Sequence, residues 1–327
     1  MINKLLLNPG PTNTRFRTKL AQWIGSDVCH RTEDFYDLLN ETKKLLTKDF
    51  NEFNVAIIGG SGTAAMESMI SSLLSEKVLV VNAGIYGQRA IDMMRIYNIP
   101  HAEIKCNSIE DLKRNDEYKN VYFVENETTT GEKFDIDKMS TLYPNACFFI
   151  DATSAFGASD YLRVKHRINA LCFCSNKCLQ STPGLGIVIF NKSLKIQERS
   201  YYLNLKKYIE EDISFTLPVQ SVRALNETLK ICSNNKEIFD KRRDDLIFEL
   251  EKMNIKCINI NPSNSIIGFT HPTLEYKELK DFLYKKNIII YAGIKGIKNS
   301  FRISTMSTKF SKNFKKILRI FNETCLC

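Results

Sequence analysis

The chain reads as an α/β protein: a large, mostly parallel sheet flanked by helices, followed by a smaller α+β unit. Three observations predict this. Strand-like and helix-like stretches alternate through the first two-thirds, as they do when parallel strands are joined by crossover helices. A glycine-rich turn, Gly59-Gly60-Ser61-Gly62-Thr63, leads from one such strand directly into a helical stretch. From about Ser200 the pattern changes to long helical runs and then to short, mixed elements.

Bulk properties set the class. A chain of 327 residues is long enough for a large core and two domains. Hydrophobic residues make up 43% and charged residues 25%, an ordinary globular balance. The longest apolar runs fall well short of a membrane span, and MINKLLLNPG lacks the apolar core of a signal peptide. A cytoplasmic protein with no membrane partner is expected. The net charge of +9 comes from lysines spread along the chain, so no nucleic-acid face is expected. Ten cysteines include Cys172, Cys174 and Cys178, and a terminal Cys325/Cys327 pair. Neither group has a histidine at zinc-ligand spacing, so free thiols and no metal are expected.

Taken in order, Leu5-Leu6-Leu7 is a short strand stopped by Pro9-Gly10-Pro11. Residues 34–46 carry apolar side chains at helical spacing (Phe35, Leu38, Leu39, Leu45, Leu46). Ala56-Ile57-Ile58 is a strand, and the glycine turn after it opens a helix over 64–74. Free amides at such a helix start suit a phosphate, which makes Ser61, Gly62 and Thr63 a candidate phosphate cup. Taken alone, the same residues serve equally as a plain turn with a capping Ser or Thr. Strand 78–81 leads to Gly84-Ile85-Tyr86-Gly87, with Arg89 opening the next helix in a structural role. Strand 121–124 leads to Glu127-Thr128-Thr129-Thr130-Gly131, whose hydroxyls are available as donors.

A helix over 137–142 precedes strand 146–150, which ends in Asp151. Strand 170–174 is followed by Ser175-Asn176-Lys177-Cys178, then by Thr182-Pro183-Gly184 and a strand over 187–190. Lys177 and Asp151 are 26 residues apart, room for a crossover between two strand ends. In open α/β sheets, ligands lie outside the carboxyl ends of the strands, so both residues face one crevice. Taking an ammonium out of water disfavours its charge and makes lysine a usable amine. Ser175, two positions earlier, points to the same side of a strand as Lys177, as a phosphate ligand or a satisfied strand serine. The competing reading is a solvated lysine and a turn-capping aspartate.

Helices follow over 219–232 and 236–253. The remainder alternates strand 265–269, helix 275–286, strand 288–291, Phe301-Arg302-Ile303 and a helix over 311–323. Arg302 lies between two apolar residues and points away from both. It is either a surface arginine or a grip for a carboxylate or phosphonate. The predicted division is an N-terminal segment (1–15), a large domain (16–235) and a small domain (236–327).

SNKCLQSTPGLG, DATSAFG, NETTTG and GGSGTAAMES together resemble the motifs of the class V, fold-type I pyridoxal-phosphate aminotransferases. The resemblance runs from LLLNPGP to FRI, nearly the whole chain. It implies a mostly parallel seven-stranded sheet, a homodimer with sites at its interface, and pyridoxal 5'-phosphate as cofactor. Lys177 would carry the cofactor aldehyde, and Asp151 would hold its pyridine nitrogen protonated. Tyr86 would cover one ring face. Thr128, Thr129, Thr153 and Ser154 would lie at the cofactor edge. Ser61, Gly62, Thr63 and Ser175 would take the phosphate, joined by Thr216 from the partner subunit, and the first residues would pack with the small domain. Arg302 would clamp the substrate anion, with the His30–Arg31 loop at the mouth. The resemblance leans towards members that move an amino group from 2-aminoethylphosphonate to a 2-oxo acid, pyruvate. Ser304-Thr305-Met306-Ser307 departs from the glycine-containing segment expected there.

Overall fold

The computed structural model describes residues 4–24, 27–211, 213–231 and 235–325. Seven strands form the central sheet: β1 (Phe53–Gly59), β2 (Val78–Asn82), β3 (His101–Lys105), β4 (Asn120–Val124), β5 (Cys147–Asp151), β6 (Ile168–Cys174) and β7 (Leu185–Asn191). Their spatial order is β1-β7-β6-β5-β4-β2-β3. Only β7 runs against its neighbours, β1 and β6; the other pairs are parallel. The parallel strands β2 to β6 therefore all end on one edge of the sheet.

Strand alternation divides the core in two. Val81, Phe123, Ile150, Phe173 and Ile187 face one layer, packed with Phe35 and Leu39 of the helix Glu33–Leu46. Val80, Tyr122, Phe149, Cys172 and Val188 face the other, packed with Met66, Met69 and Ile70 of the helix Gly62–Leu73. Near-continuous apolar strands are what a sheet covered on both faces requires. Phe173 is fully buried and its ring lies 3.7 Å from that of Phe156. Phe173→Ala is expected to lower unfolding free energy by ~3–5 kcal/mol, measurable by denaturant titration.

A second, four-stranded antiparallel sheet comprises Lys256–Cys257, Ile266–Thr270, Ser300–Ser304 and Tyr291–Ala292, in that order. Its core joins Phe269, Phe301 and Ile303 to Leu246, Leu279 and Ile317. Leu5 and Leu7 belong to the same core, and Leu5–Leu6 pairs in parallel with Ile288–Ile289.

Several elements differ from the sequence reading: the helix Phe16–Trp23 and the strand Lys256–Cys257 have no counterpart there, and the strand expected over 288–291 is two, Ile288–Ile289 beside Leu5–Leu6 and Tyr291–Ala292 in the second sheet. β3 has no counterpart in that reading either: HAEIK alternates apolar and polar residues at a partly exposed edge and lacks the apolar run of the central strands. The helix expected to open at Arg89 begins at Ile85. Gly84 precedes it without a capping side chain, so no local start signal exists. Ile85 N–H instead donates to Thr129 Oγ1 at 3.3 Å, from a loop more than forty residues away. Cys327, and the side chain of Cys325, lie outside the described residues, as does Cys232 at the predicted helix end. Among the described residues, no helix is long and apolar enough to cross a membrane.

Candidate active site

The carboxyl ends of β2, β4, β5 and β6 place Tyr86 at the start of the next helix, Thr128 in a loop, Asp151 as the last strand residue and Lys177 in a turn. One edge thus gathers residues separated by up to about ninety positions. Lys177 lies in the turn after β6 and is half-buried. Its Nζ donates to Ser154 Oγ at 3.0 Å and stands 5.6 Å from the centre of the Tyr86 ring. Gly10 closes the other side. A Cβ built there would lie 3.2 Å from Lys177 Cγ, and its φ of +129° already favours glycine.

Asp151 is the last residue of β5 and is 1% exposed. Burial raises its pKa. Opposing that, Thr153 N–H donates to Oδ1 at 2.8 Å, and the charges of Lys177 and Arg89 favour the ionised form. The carboxyl therefore sits in the same charge field as the lysine amine.

Ser61 precedes the helix Gly62–Leu73 and makes no side-chain cap bond, leaving the helix start available to an anion. A Cβ on Gly62 would come 3.1 Å from Thr153 Cγ2, so only glycine fits comfortably between the turn and the strand-end residue. Arg89 Nη1 donates to Thr63 Oγ1 at 2.9 Å, and its guanidinium carbon lies 4.8 Å from the centre of the Tyr86 ring. A cation is thus fixed beside the helix start. Arg89 stands three residues after Tyr86, a spacing that already places both on one helix face.

In the ETTTG loop, Thr128 and Ser154 hydroxyls are 2.7 Å apart. Thr129 donates to Glu127 Oε1 through its amide (3.0 Å) and its hydroxyl (2.5 Å). Glu127 is fully buried, and burial raises its pKa. No sequence signal singles it out; its packing against Gly84, at the start of a distant helix, is a tertiary fact. Arg302 reaches this loop from the second sheet: Nη1 donates to the Thr128 carbonyl, and Nε to the Ala292 carbonyl at 2.7 Å. Burial lowers its pKa, while nearby Tyr86 and Glu127 favour the cation.

Ser175 departs from expectation. β6 stops at Cys174, so strand alternation no longer orients the residues after it. The Ser175 side chain is fully buried and donates to the Thr182 carbonyl at 2.6 Å, a satisfied loop serine whose proton is not offered to a phosphate. Thr216 is exposed, with Oγ1 at 3.5 Å from His30 Nε2. These two share one surface, and Arg31 is exposed beside them. His30 does not cap the helix Glu33–Leu46, and neither does the Thr32 side chain, which donates to the Cys29 carbonyl. His101, His166 and His271 lie in other segments.

The family model for aminotransferase class-V matches residues 15–319. The chain belongs to the class-V aminotransferases. A Clostridioides difficile bifunctional phosphonoacetaldehyde hydrolase/aminoethylphosphonate transaminase is 25% identical over 98% of this chain and 56% of its own length. A Bacteroides fragilis 2-aminoethylphosphonate–pyruvate transaminase is 24% identical over 98% of both. The solved aspartate aminotransferase of subgroup IV from Thermus thermophilus superposes with a TM-score of 0.90 at 22% identity, over 98% of this chain and 99% of that one. That likeness establishes the fold, that of fold-type I pyridoxal-phosphate aminotransferases.

Family membership makes the protein an aminotransferase with pyridoxal phosphate as cofactor. The residues present fit that group. Thr153 Oγ1 and Glu127 Oε2 are buried without a hydrogen-bond partner, polar capacity that a polar cofactor could take up. A buried carboxyl, a half-buried amine, an aromatic face and an open helix start surround the same space.

Proposed function

We propose that the protein transfers the amino group of 2-aminoethylphosphonate to pyruvate, giving phosphonoacetaldehyde and alanine, or runs the reverse. The observation that carries this reading is that Lys177 reaches the Thr128–Ser154 hydroxyl pair, Arg302 reaches the Thr128 carbonyl, and Asp151 lies in the charge field of Lys177. The two relatives reported above act on the same aminophosphonate chemistry by name.

The bound cofactor supplies an aldehyde that amines can bond and a ring that takes up electrons when a proton leaves the adjoining carbon. Asp151 would hold the ring nitrogen protonated. Tyr86 covers one ring face, with Arg89 holding its ring from beyond. Ser61, Gly62 and Thr63 take the phosphate at the helix start. Thr128, Thr129 and Thr153 fix the ring edge. Lys177 would anchor the cofactor through its amine and, when free, would move a proton at the substrate carbon. Arg302 pairs with the phosphonate of the donor and, in the second half, with the pyruvate carboxylate; guanidinium geometry serves both. Arg31, next to His30, adds positive charge at the mouth.

The site is completed by a second copy of the chain. Trp23 and Ile24, just before the His30 loop, are 84% and 66% exposed, and Tyr201, edge-on to Phe215, is 76% exposed. Large apolar side chains left in water beside Thr216 mark a surface made to be covered. Thr216 then reaches the neighbouring phosphate.

Half-reactions decide the donor. 2-Aminoethylphosphonate, and alanine as the donor of the reverse reaction, are each expected to shift the cofactor's visible absorbance in the same sense, while serine does not. A shift with serine but none with the aminophosphonate would assign a different class-V transamination. Arg302→Ala is expected to raise KM for both anions by ~10- to 100-fold, the range of lost charge-assisted hydrogen bonds, measured by steady-state kinetics with each substrate varied.

A further inference from the structure

Ser154 sits where three segments meet. Its carbonyl accepts from Ser265 Oγ at 2.6 Å, Asn126 Nδ2 at 2.9 Å and the Cys178 thiol at 3.1 Å. Those partners come from the second sheet, the segment before the ETTTG loop and the residue after Lys177. Its main chain is therefore held from three directions, and the residue is 2% exposed. The side chain hydrogen-bonds with two groups, Lys177 Nζ at 3.0 Å and Thr128 Oγ1 at 2.7 Å.

A hydroxyl has one proton and two lone pairs. An amine that donates to Ser154 occupies one lone pair; the proton and the other lone pair are left for Thr128, and either hydroxyl can be the donor of that pair. In both directions the Thr128 bond restrains the Ser154 hydroxyl and leaves a lone pair for Lys177. A long flexible side chain otherwise has many rotamers, and holding one group in register converts that freedom into rate.

We propose that Ser154 is a positioning residue that seats the free Lys177 amine whenever the cofactor is bonded to another amine. Thr128 sets the orientation of that seat. The inference rests on Lys177 being the residue that bonds the cofactor. Ser154→Ala removes the hydroxyl and keeps the carbonyl with its three bonds, so the fold is retained.

The test uses the holoenzyme and methylamine, a small amine that displaces Lys177 from the cofactor but cannot be deaminated productively at a substrate-like rate. After methylamine is diluted away, the return of Lys177 to the cofactor is followed by visible absorbance. Ser154→Ala is expected to slow this return by ~10-fold or more, about the value of one well-placed hydrogen bond. The single-turnover rate with 2-aminoethylphosphonate should fall in parallel, with KM and cofactor content unchanged. Ser154→Thr, which keeps a hydroxyl, should restore most of the rate, and Thr128→Val should give a smaller loss. An unchanged return rate in Ser154→Ala overturns the proposal. So does a loss of cofactor content in place of a slowed return, which would make Ser154 a cofactor contact only. Lys177→Ala run alongside separates the layers: a covalent cofactor band that persists there refutes the role of Lys177 itself.

Discussion

Lys177→Ala is expected to abolish turnover, by at least ~10²–10⁴-fold, the usual scale of acid–base catalysis alone. The change removes two functions at once. On the proposed mechanism it deletes both the amine that would bond the cofactor and the group that would move the proton. Arg89 and Arg302 cannot stand in for it, because guanidinium groups keep their protons. The fold should be retained, since Lys177 lies in a turn and its amine hydrogen-bonds to Ser154 alone among the described residues. The purified variant should lack the visible band of covalently held cofactor and still unfold cooperatively. Turnover at wild-type rate would remove Lys177 from the mechanism.

Asp151→Asn should lower turnover by ~10²-fold or more, because a neutral amide cannot stabilise a protonated ring nitrogen as a carboxylate does. The same change should stabilise the cofactor-free protein at neutral pH. The sign follows from burial. The folded-state pKa of Asp151 is raised above its unfolded value, so folding costs free energy wherever the unfolded carboxyl is ionised. That cost grows as pH rises from the ordinary aspartate range to the folded value, then levels off. The stability difference between variant and parent should therefore be largest near neutrality and vanish towards the ordinary aspartate pKa. The introduced amide oxygen can still accept from Thr153 N–H, as the Asp151 carboxylate does, so the local turn is kept. Thermal melts of both apoproteins across pH check this. A destabilised variant at pH 7 would show that the carboxylate is a structural anchor instead.

Strand ends are readable from sequence because apolar runs and punctuating residues are local signals. Asp151 and Lys177 follow from them directly. Ser175 does not, since its orientation depends on where β6 stops, one residue before it. Arg89, Glu127 and Ser154 owe their positions to contacts across 26, 43 and 23 residues, with Thr63, Gly84 and Lys177 respectively. Nothing in a local pattern marks such pairings. The helix start at Ile85 is hidden for the same reason: its caps are borrowed from the ETTTG loop.

Gly10 leans on the Lys177 side chain, and only a few residues earlier Leu5–Leu6 is stitched to Ile288–Ile289. Ser304 N–H of the second sheet also donates to the Leu7 carbonyl, so that sheet and the Lys177 side chain are joined by a short tether. Tilting that sheet to enclose a substrate would drag Gly10 along the lysine stem. Closure and the freedom of the amine become one motion, and a longer linker between residues 7 and 10 would uncouple them.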